Sequence, residues 1–469
     1  MAAKHVVRGK HEAPQGGEAL APSERRSRGK SLRDAVPREA HAGWKPKKDR
    51  RSPIDILIES NEARLPELIP IRFGRMLQSP FTFYRGSASI MAADLATTAQ
   101  SGLRVQACGD AHLMNFGGFA TPERQIAFDI NDLDETLPAP WEWDIKRLTA
   151  SVVIAGQYLR LSETECAQAA IATVRSYREH MADYSSMRAL EVWYDKIGLE
   201  DVLEAQSEER GEITKQRVEK AQERSAPEFL FPKLVEHRGA TPQIKDDPPL
   251  IFHPDAKLAP GIKTGFKEQV AQYRQSLPEH VRVLFDRYRL CDIAVKVVGI
   301  GSVGTACAIG LWVAADNDPL FLQIKQAKAS VLEPYAGKSP YENHGQRVVS
   351  GQRLMQSASD IFLGWVRGAS GQDFYIRQLR DAKISPIIED WDGDLLRDYG
   401  KLCAWALAKA HARSGDAAEI AGYMGSSETF DDAICEFAVE YADQNQRDYR
   451  LFVKAVREGR IKAIVESID

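Results

Sequence analysis

Residues 109–117 read Gly-Asp-Ala-His-Leu-Met-Asn-Phe-Gly, and residues 128–134 read Phe-Asp-Ile-Asn-Asp-Leu-Asp. A carboxylate on a turn can accept and orient the proton of a hydroxyl, and an asparagine oxygen five positions later can ligate a hard divalent cation. Asp129, Asp132 and Asp134 add oxygens on an adjoining strand, which is the donor chemistry that Mg2+ bridging two phosphates requires. The pattern points to metal-assisted phosphoryl transfer, with Asp110 as base, Asn115 and Asp129 as metal ligands and Asp132 as second choice for metal. His112 could orient the loop or touch a phosphate; a hydrogen bond to the loop backbone is its plainer role. A single aspartate here would be read as a turn or cap residue, but two matched segments reverse that reading.

Far downstream, an apolar run over residues 293–298 leads into Gly299-Ile300-Gly301-Ser302-Val303-Gly304. In a dinucleotide-binding unit such glycines open a helix. Here residues 305–312 look like a strand returning in a hairpin, so Gly299, Gly301, Ser302 and Gly304 are expected to form a flap over phosphates. Lys325, in Phe-Leu-Gln-Ile-Lys, would then clamp the phosphates, with Lys328 as runner-up. Glu333 and Glu342 are both candidates for its acidic partner, and the sequence leaves that choice open. Arg347, Arg353, Arg377 and Arg380 lie in the same half.

These residues need elements to position them. Residues 103–108 alternate like a short strand that delivers the Gly-Asp turn, and 125–130 form a second strand entering the acidic cluster. Residues 141–158 have helical period, as do 346–360, 394–413 and 430–465. Strands are expected at 307–313 and 320–325, joined by Asp316-Asn317-Asp318-Pro319, and again at 362–366 and 374–379. The division that follows is a basic unordered tail over 1–51, a helical lobe with the catalytic loop over 52–225, and a proline-rich linker over 226–260. A β-rich glycine-loop lobe over 261–385 and C-terminal helices over 386–469 complete it. The tail holds fourteen Lys or Arg against six Asp or Glu and few apolar anchors, so it could contact an acidic partner.

With 469 residues, 43% of them hydrophobic, the chain can form two or three packed lobes. A net charge of −4 argues against general nucleic-acid binding. Six scattered cysteines without a Cys-x-x-Cys pair suggest neither zinc nor a disulfide framework. Apolar runs fall well short of the roughly 18 residues a membrane span needs, and no secretory signal is evident. A cytoplasmic setting without membrane association is expected.

Ser79-Pro80-Phe81, Phe83-Tyr84-Arg85-Gly86, Gly109-Asp110-Ala111-His112, Phe128 to Asp132, Trp141 to Asp144, Gly299 to Thr305, Arg377 to Asp381 and Ala410 to Asp416 resemble the bacterial DUF2252 family. A more distant resemblance is to aminoglycoside phosphotransferases and related kinase-like enzymes. Their catalytic loop reads Gly-Asp with Asn five residues after the Asp, then a strand with a metal-binding Asp, then a helix opening on an aspartate. Gly109-Asp110, Asn115, Asp129 and Asp144 fit those places, and Leu407 to Ala412 has the character of the helix that precedes such a loop. That helix lies near the C-terminus, and the glycine loop and Lys325 follow the catalytic loop instead of preceding it. The resemblance therefore implies an α+β, two-lobed, protein-kinase-like fold in circularly permuted order. It also implies an enzyme using ATP and Mg2+ to phosphorylate a hydroxyl-bearing small molecule or protein. A non-catalytic nucleotide-binding regulatory module and an AMP-transferring enzyme on the same scaffold are the alternatives.

Overall fold

In a computed structural model, the structure describes residues 20–465 except 63, 205–207, 226, 239–240, 249, 254–265, 298–303, 316–317 and 380–382. It is an α+β protein. Its centre is the helix Trp141–Tyr158, in which every residue from Trp141 to Gly156 is buried. Glu142 and Asp144 in its first turn complement the helix N-terminus, and the run Leu148 to Ala155 is small or aliphatic enough to be enclosed on all sides. Glu163–Tyr184, Gly393–Ser414 and Thr429–Arg457 pack around it and form the main apolar core with it.

Two small antiparallel sheets flank this core. β1 (Arg104–Ala107) pairs with β4 (Leu137–Pro140), and β2 (Phe116–Ala120) pairs with β3 (Ile126–Ile130), which also meets the two-residue β5 (Ile197–Gly198). A backbone bond from Asn131 N to Asn115 O, 2.7 Å, closes the open end of the β2–β3 hairpin. It sets the turn after β1 beside the acidic residues after β3.

The second layer is a six-stranded antiparallel sheet. Beyond the hairpin β6 (Val235–Arg238) and β7 (Thr241–Ile244), the strands are β8 (Ile251–Phe252), β9 (Arg289–Lys296), β10 (Cys307–Val313), β11 (Pro319–Ala327), β12 (Gly364–Arg367) and β13 (Asp373–Gln378). Their order is β12-β13-β11-β10-β9-β8. The expected hairpin is the β10–β11 pair, with Lys325 opposite Cys307. Strand alternation sends Leu322 and Ile324 into one apolar cluster, under the helix Phe266–Ser276, and turns Gln323 and Lys325 to the other face. The helix His344–Met355 packs on β12 and β13.

Two expected segments differ from what folds. The described part of the presumed linker holds a helix, Pro227–Leu234, and three strands. Pro227 opens that helix and Pro242 lies in the isolated two-stranded hairpin, where proline costs little, whereas Pro232 falls inside the helix. The presumed tail is ordered from Pro22, where a helix runs to Ser31, although residues 1–19 lie outside the described residues. Its anchors are not aliphatic. His41 and Trp44 are buried, Arg33 donates to Tyr423 O and Gly422 O, and Arg50 grips two carboxylates bidentately. Its contacts with Asp94 are both 2.8 Å, and those with Asp448 are 2.8 and 2.6 Å.

Arg50 is 13% exposed and its two partners 5% and 3%, so removing it strands two carboxylates away from water. Arg50→Leu should destabilise the chain by about 3–5 kcal/mol. Arg25→Gln breaks the partly exposed pair with Asp416 and should cost no more than about 1 kcal/mol. Urea unfolding of the full chain would distinguish the two.

Candidate active site

β1 ends at Ala107, and the turn that follows hangs from one buried carboxylate. Asp144 Oδ2 accepts from Cys108 N at 2.6 Å, and Oδ1 accepts from Gly109 N at 2.9 Å. Gly109 has φ +81, and a Cβ there would lie 2.5 Å from Glu135 O, so this sharp turn requires glycine. His411 Nε2 lies 3.1 Å from Asp144 Oδ2 and its Nδ1 lies 2.7 Å from Tyr177 Oη, tying the turn to two core helices.

Asp110 emerges from this turn into a cavity of about 580 Å³ between the helical layer and the six-stranded sheet. Arg147, almost wholly buried behind it, donates to Asp110 Oδ1 from Nε at 2.6 Å and approaches from Nη2 at 2.5 Å. Burial raises the Asp110 pKa, and Arg147 opposes that shift. His112 lines the same cavity. Its Nδ1 accepts from Met114 N at 3.1 Å, which is the backbone bond expected of it, and Nε2 is 3.9 Å from Asp110 Oδ2. Burial, then Arg85 and Arg147, pushes its pKa well below the usual value, so the ring is neutral. With Nδ1 accepting, its proton sits on Nε2.

Asn115 and Asp132 reach the cavity from the mouth of the β2–β3 hairpin. The Asn115 amide nitrogen donates to Asp110 O at 2.7 Å, which leaves its oxygen for another partner. Lys325 enters from the sheet, with Nζ 3.5 Å from Asp132 Oδ2 and 2.5 Å from Asp134 Oδ2. Burial opposes both charges, but mutual attraction wins: Asp132 is held well below the usual carboxylate range by Lys325, Arg377 and Lys383, and Lys325 well above its own by Asp132 and Asp134. Beside it Arg377, opposite Gln323 across β11–β13, donates to Gln323 Oε1 at 3.2 Å.

The DUF2252 family, described as an uncharacterized protein conserved in bacteria, matches residues 64–455. The chain belongs to that family. No curated protein and no solved structure shows a significant match to it. Among the described residues no helix is long and apolar enough to cross a membrane.

For this DUF2252 member, Asp110, His112, Asn115, Asp132 and Lys325 share one cavity. Asp129, expected as a metal ligand, does not line it. It is completely buried, its Oδ2 2.5 Å from Lys409 Nζ and 3.0 Å from Ser357 N. The reason is local. Both faces of β3 are covered, so a side chain within the strand meets the core, whereas Asp132 lies two residues past the strand end and is free to turn toward the cleft. Lys325 finds its carboxylates in Asp132 and Asp134 and not in Glu333 or Glu342; Glu333 Oε1 is 3.8 Å from His344 Nδ1. Gly299, Gly301 and Ser302 lie outside the described residues. Gly304 is described, with φ +85 and its carbonyl accepting from Leu65 N at 2.7 Å. Arg75, Arg85, Lys296, Asp360 and Lys383 also line the cavity and were not singled out from the sequence as site residues. Arg85 was visible only within the Phe-Tyr-Arg-Gly stretch.

Lys409→Met would leave Asp129 as an uncompensated buried charge and should cost about 3–5 kcal/mol, and adding Asp129→Asn should restore much of that loss. Denaturant midpoints of the single and double variants measure this coupling. A Mg2+-binding role for Asp129 would instead appear as loss of Mg2+-dependent stabilisation with little change in the metal-free midpoint.

Proposed function

We propose that this cleft binds ATP with Mg2+ and transfers the γ-phosphoryl group to a hydroxyl-bearing acceptor, on a kinase-like scaffold in circularly permuted order. The observation that carries the reading is the convergence of Asp110, Asn115 and Asp132 with Lys325, which is distant in sequence, on a single cavity. One ionised carboxylate and one amide oxygen suit Mg2+, which commonly takes one or two protein carboxylates and completes its shell with water and phosphate. Asp132 replaces Asp129 in this role. When bound, the ion would neutralise phosphate charge.

The chain's own groups account for the remaining steps. Lys325 is anchored by two carboxylates and aimed into the cleft, so it can hold phosphate oxygens without being reorganised. Asp110, fixed by Arg147, would align the acceptor hydroxyl. As the acceptor oxygen bonds to the γ-phosphorus, the bridging P–O bond breaks, ADP leaves, and the hydroxyl proton passes to Asp110. Burial raises the Asp110 pKa against the opposing pull of Arg147, and the same Arg147 contact fixes the carboxylate for a loose transition state in which positioning matters more than early proton removal.

The permuted order is supported at the seam. The helix Gly393–Ser414, which carries the Leu-Ala-Lys-Ala-His-Ala run, ends beside β1, where Ser414 Oγ accepts from Gln106 N at 3.1 Å. The helix that would precede the catalytic loop in an unpermuted chain thus lies next to that loop in space.

Mg·ATP should raise the thermal midpoint of the wild type. Asp132→Asn should remove most of the Mg2+ dependence of that shift, and Lys325→Met should reduce the shift itself. Incubation with ATP, Mg2+ and a metabolite extract, followed by mass spectrometry, should show a phosphorylated product. Asp110→Asn should cut its formation by roughly 10²-fold or more with little change in nucleotide affinity. An adenylylated product would point to AMP transfer. Mg·ATP binding with no product from any pool would favour a regulatory module.

A further inference from the structure

The cavity is more cationic than one metal-bound nucleotide requires. Among its described lining residues, six Lys or Arg face three Asp. One of these three, Asp110, already has a cation behind it in Arg147, and Lys325 is matched by Asp132 together with Asp134. Mg·ATP brings about two net negative charges, against six lining cations.

These cations divide between the two sides of the cavity. Lys325 and Arg377 belong to the sheet side, where Asp132, Asp134 and Tyr375 surround them. Arg85 belongs to the other end, and its charge acts on Asp110, His112 and Lys383. It leaves the helix Pro80–Gly86 next to Tyr84, whose carbonyl accepts from Arg147 at 3.1 Å, so it shares the support that holds Asp110. The Arg85 Nε is buried and has no hydrogen-bond partner. Lys383 is exposed as a residue, yet burial of its ammonium and then the charge of Arg377 lower its pKa to about 8. Arg85, whose charge acts on Asp110, and Lys383, which feels Arg85 as well as Arg377 and Asp132, line the same cavity and together can hold an anion on the acceptor.

We infer that the acceptor carries a phosphate group of its own, held by Arg85 and Lys383 with the neutral His112 Nε2–H as an additional donor, while its hydroxyl meets Asp110. This rests on the phosphotransferase reading and deepens it: the substrate class is a phosphorylated hydroxyl compound. The guanidinium of Arg85 suits two phosphate oxygens at once, and Lys383 adds a point charge. A neutral sugar or an unmodified serine side chain would bring no anion to the buried Arg85 Nε, which has no hydrogen-bond partner.

The test uses the full chain with inorganic phosphate as probe, titrated calorimetrically after saturation with Mg2+ and a non-hydrolysable ATP analogue. Phosphate should bind the loaded wild type. Arg85→Gln and Lys383→Gln should each weaken it tenfold or more while changing analogue affinity less than threefold. Lys383, at the cleft rim, is the variant least able to disturb folding, and Arg85→Lys should retain part of the binding that Arg85→Gln loses. Analogue binding without phosphate binding overturns the inference and leaves the phosphotransferase reading standing. Equal weakening of analogue and phosphate also overturns it, because the two cations would then hold the nucleotide's own phosphates. Failure of the analogue to bind removes the phosphotransferase reading and the inference with it. Sulfate and acetate arms separate recognition of a phosphate from a general response to anions.

Discussion

The site depends on one buried carboxylate. Asp144 sits in the first turn of the central helix and accepts the two backbone N–H groups that open the turn bearing Asp110, with His411 closing on it from another helix. Backbone amides at a sharp turn have no strand or helix partner, and in a buried place an unpaired amide costs free energy comparable to a lost hydrogen bond. Asp144 satisfies two at once, and its position on the helix Trp141–Tyr158 places the turn relative to Arg147 three residues later on the same element. Asp110 is therefore gripped from both sides by a single helix: its backbone neighbours through Asp144 and its side chain through Arg147. A site suspended in this way has little freedom to adjust, which suits chemistry that depends on alignment.

The sheet must then be brought to this fixed point, and Arg347 does much of that. Buried on the helix His344–Met355, it donates from Nη1 to Thr136 O at 2.6 Å and from Nη2 to Asp134 O and Lys328 O, both 2.8 Å. Three carbonyls from two layers thus converge on one guanidinium. Gln356, just past the same helix, donates to Ile130 O at 2.6 Å, and Tyr375 donates to Asp134 Oδ1 at 2.7 Å. The acidic segment after β3 is pinned by its backbone, and its side chains remain available to Lys325. Burial lowers the Arg347 pKa despite the opposing charge of Glu135 and Asp134, so this joint is held mainly by its geometry of donors and acceptors.

Much of this was legible in the sequence because it is written in local period. The β1 and β3 strands, the β10–β11 hairpin, the central helix and the helix Gly393–Ser414 fall within a few residues of their expected bounds, and the last helix begins where expected but ends at Arg457 rather than 465. What failed was whatever needed a partner distant in sequence. Asp129 and Asp132 are equally acidic and three residues apart; only the covering of both faces of β3, and Lys409 some 280 positions away, tell them apart. The N-terminal segment looked too poor in apolar residues to fold, and composition missed that its arginines find buried carboxylates and helix-end carbonyls elsewhere. Glu333 and Glu342 were reasonable partners for Lys325 by position, but Asp134, on a different layer, lies closer to it than any position rule could reveal.

On the proposed kinase-like reading, the inverted order of the motifs has a physical explanation that does not touch the chemistry. A cleft requires its groups to meet in space, and chain order matters only through the connections that must span them. Here the C-terminal end of the helix Gly393–Ser414 already lies against β1, since a Cβ on Gly415 would come within 2.7 Å of Val105. On that reading, a break at that seam would cost no packing: Ser414 accepts from Gln106 N, and His411 reaches Asp144. Side chains would then make the contacts that a direct connection enforces. On the proposed reading, this explains why the His411–Asp144–Tyr177 cluster is wholly buried: with the peptide link gone, the alignment of helix and catalytic turn rests on those three side chains.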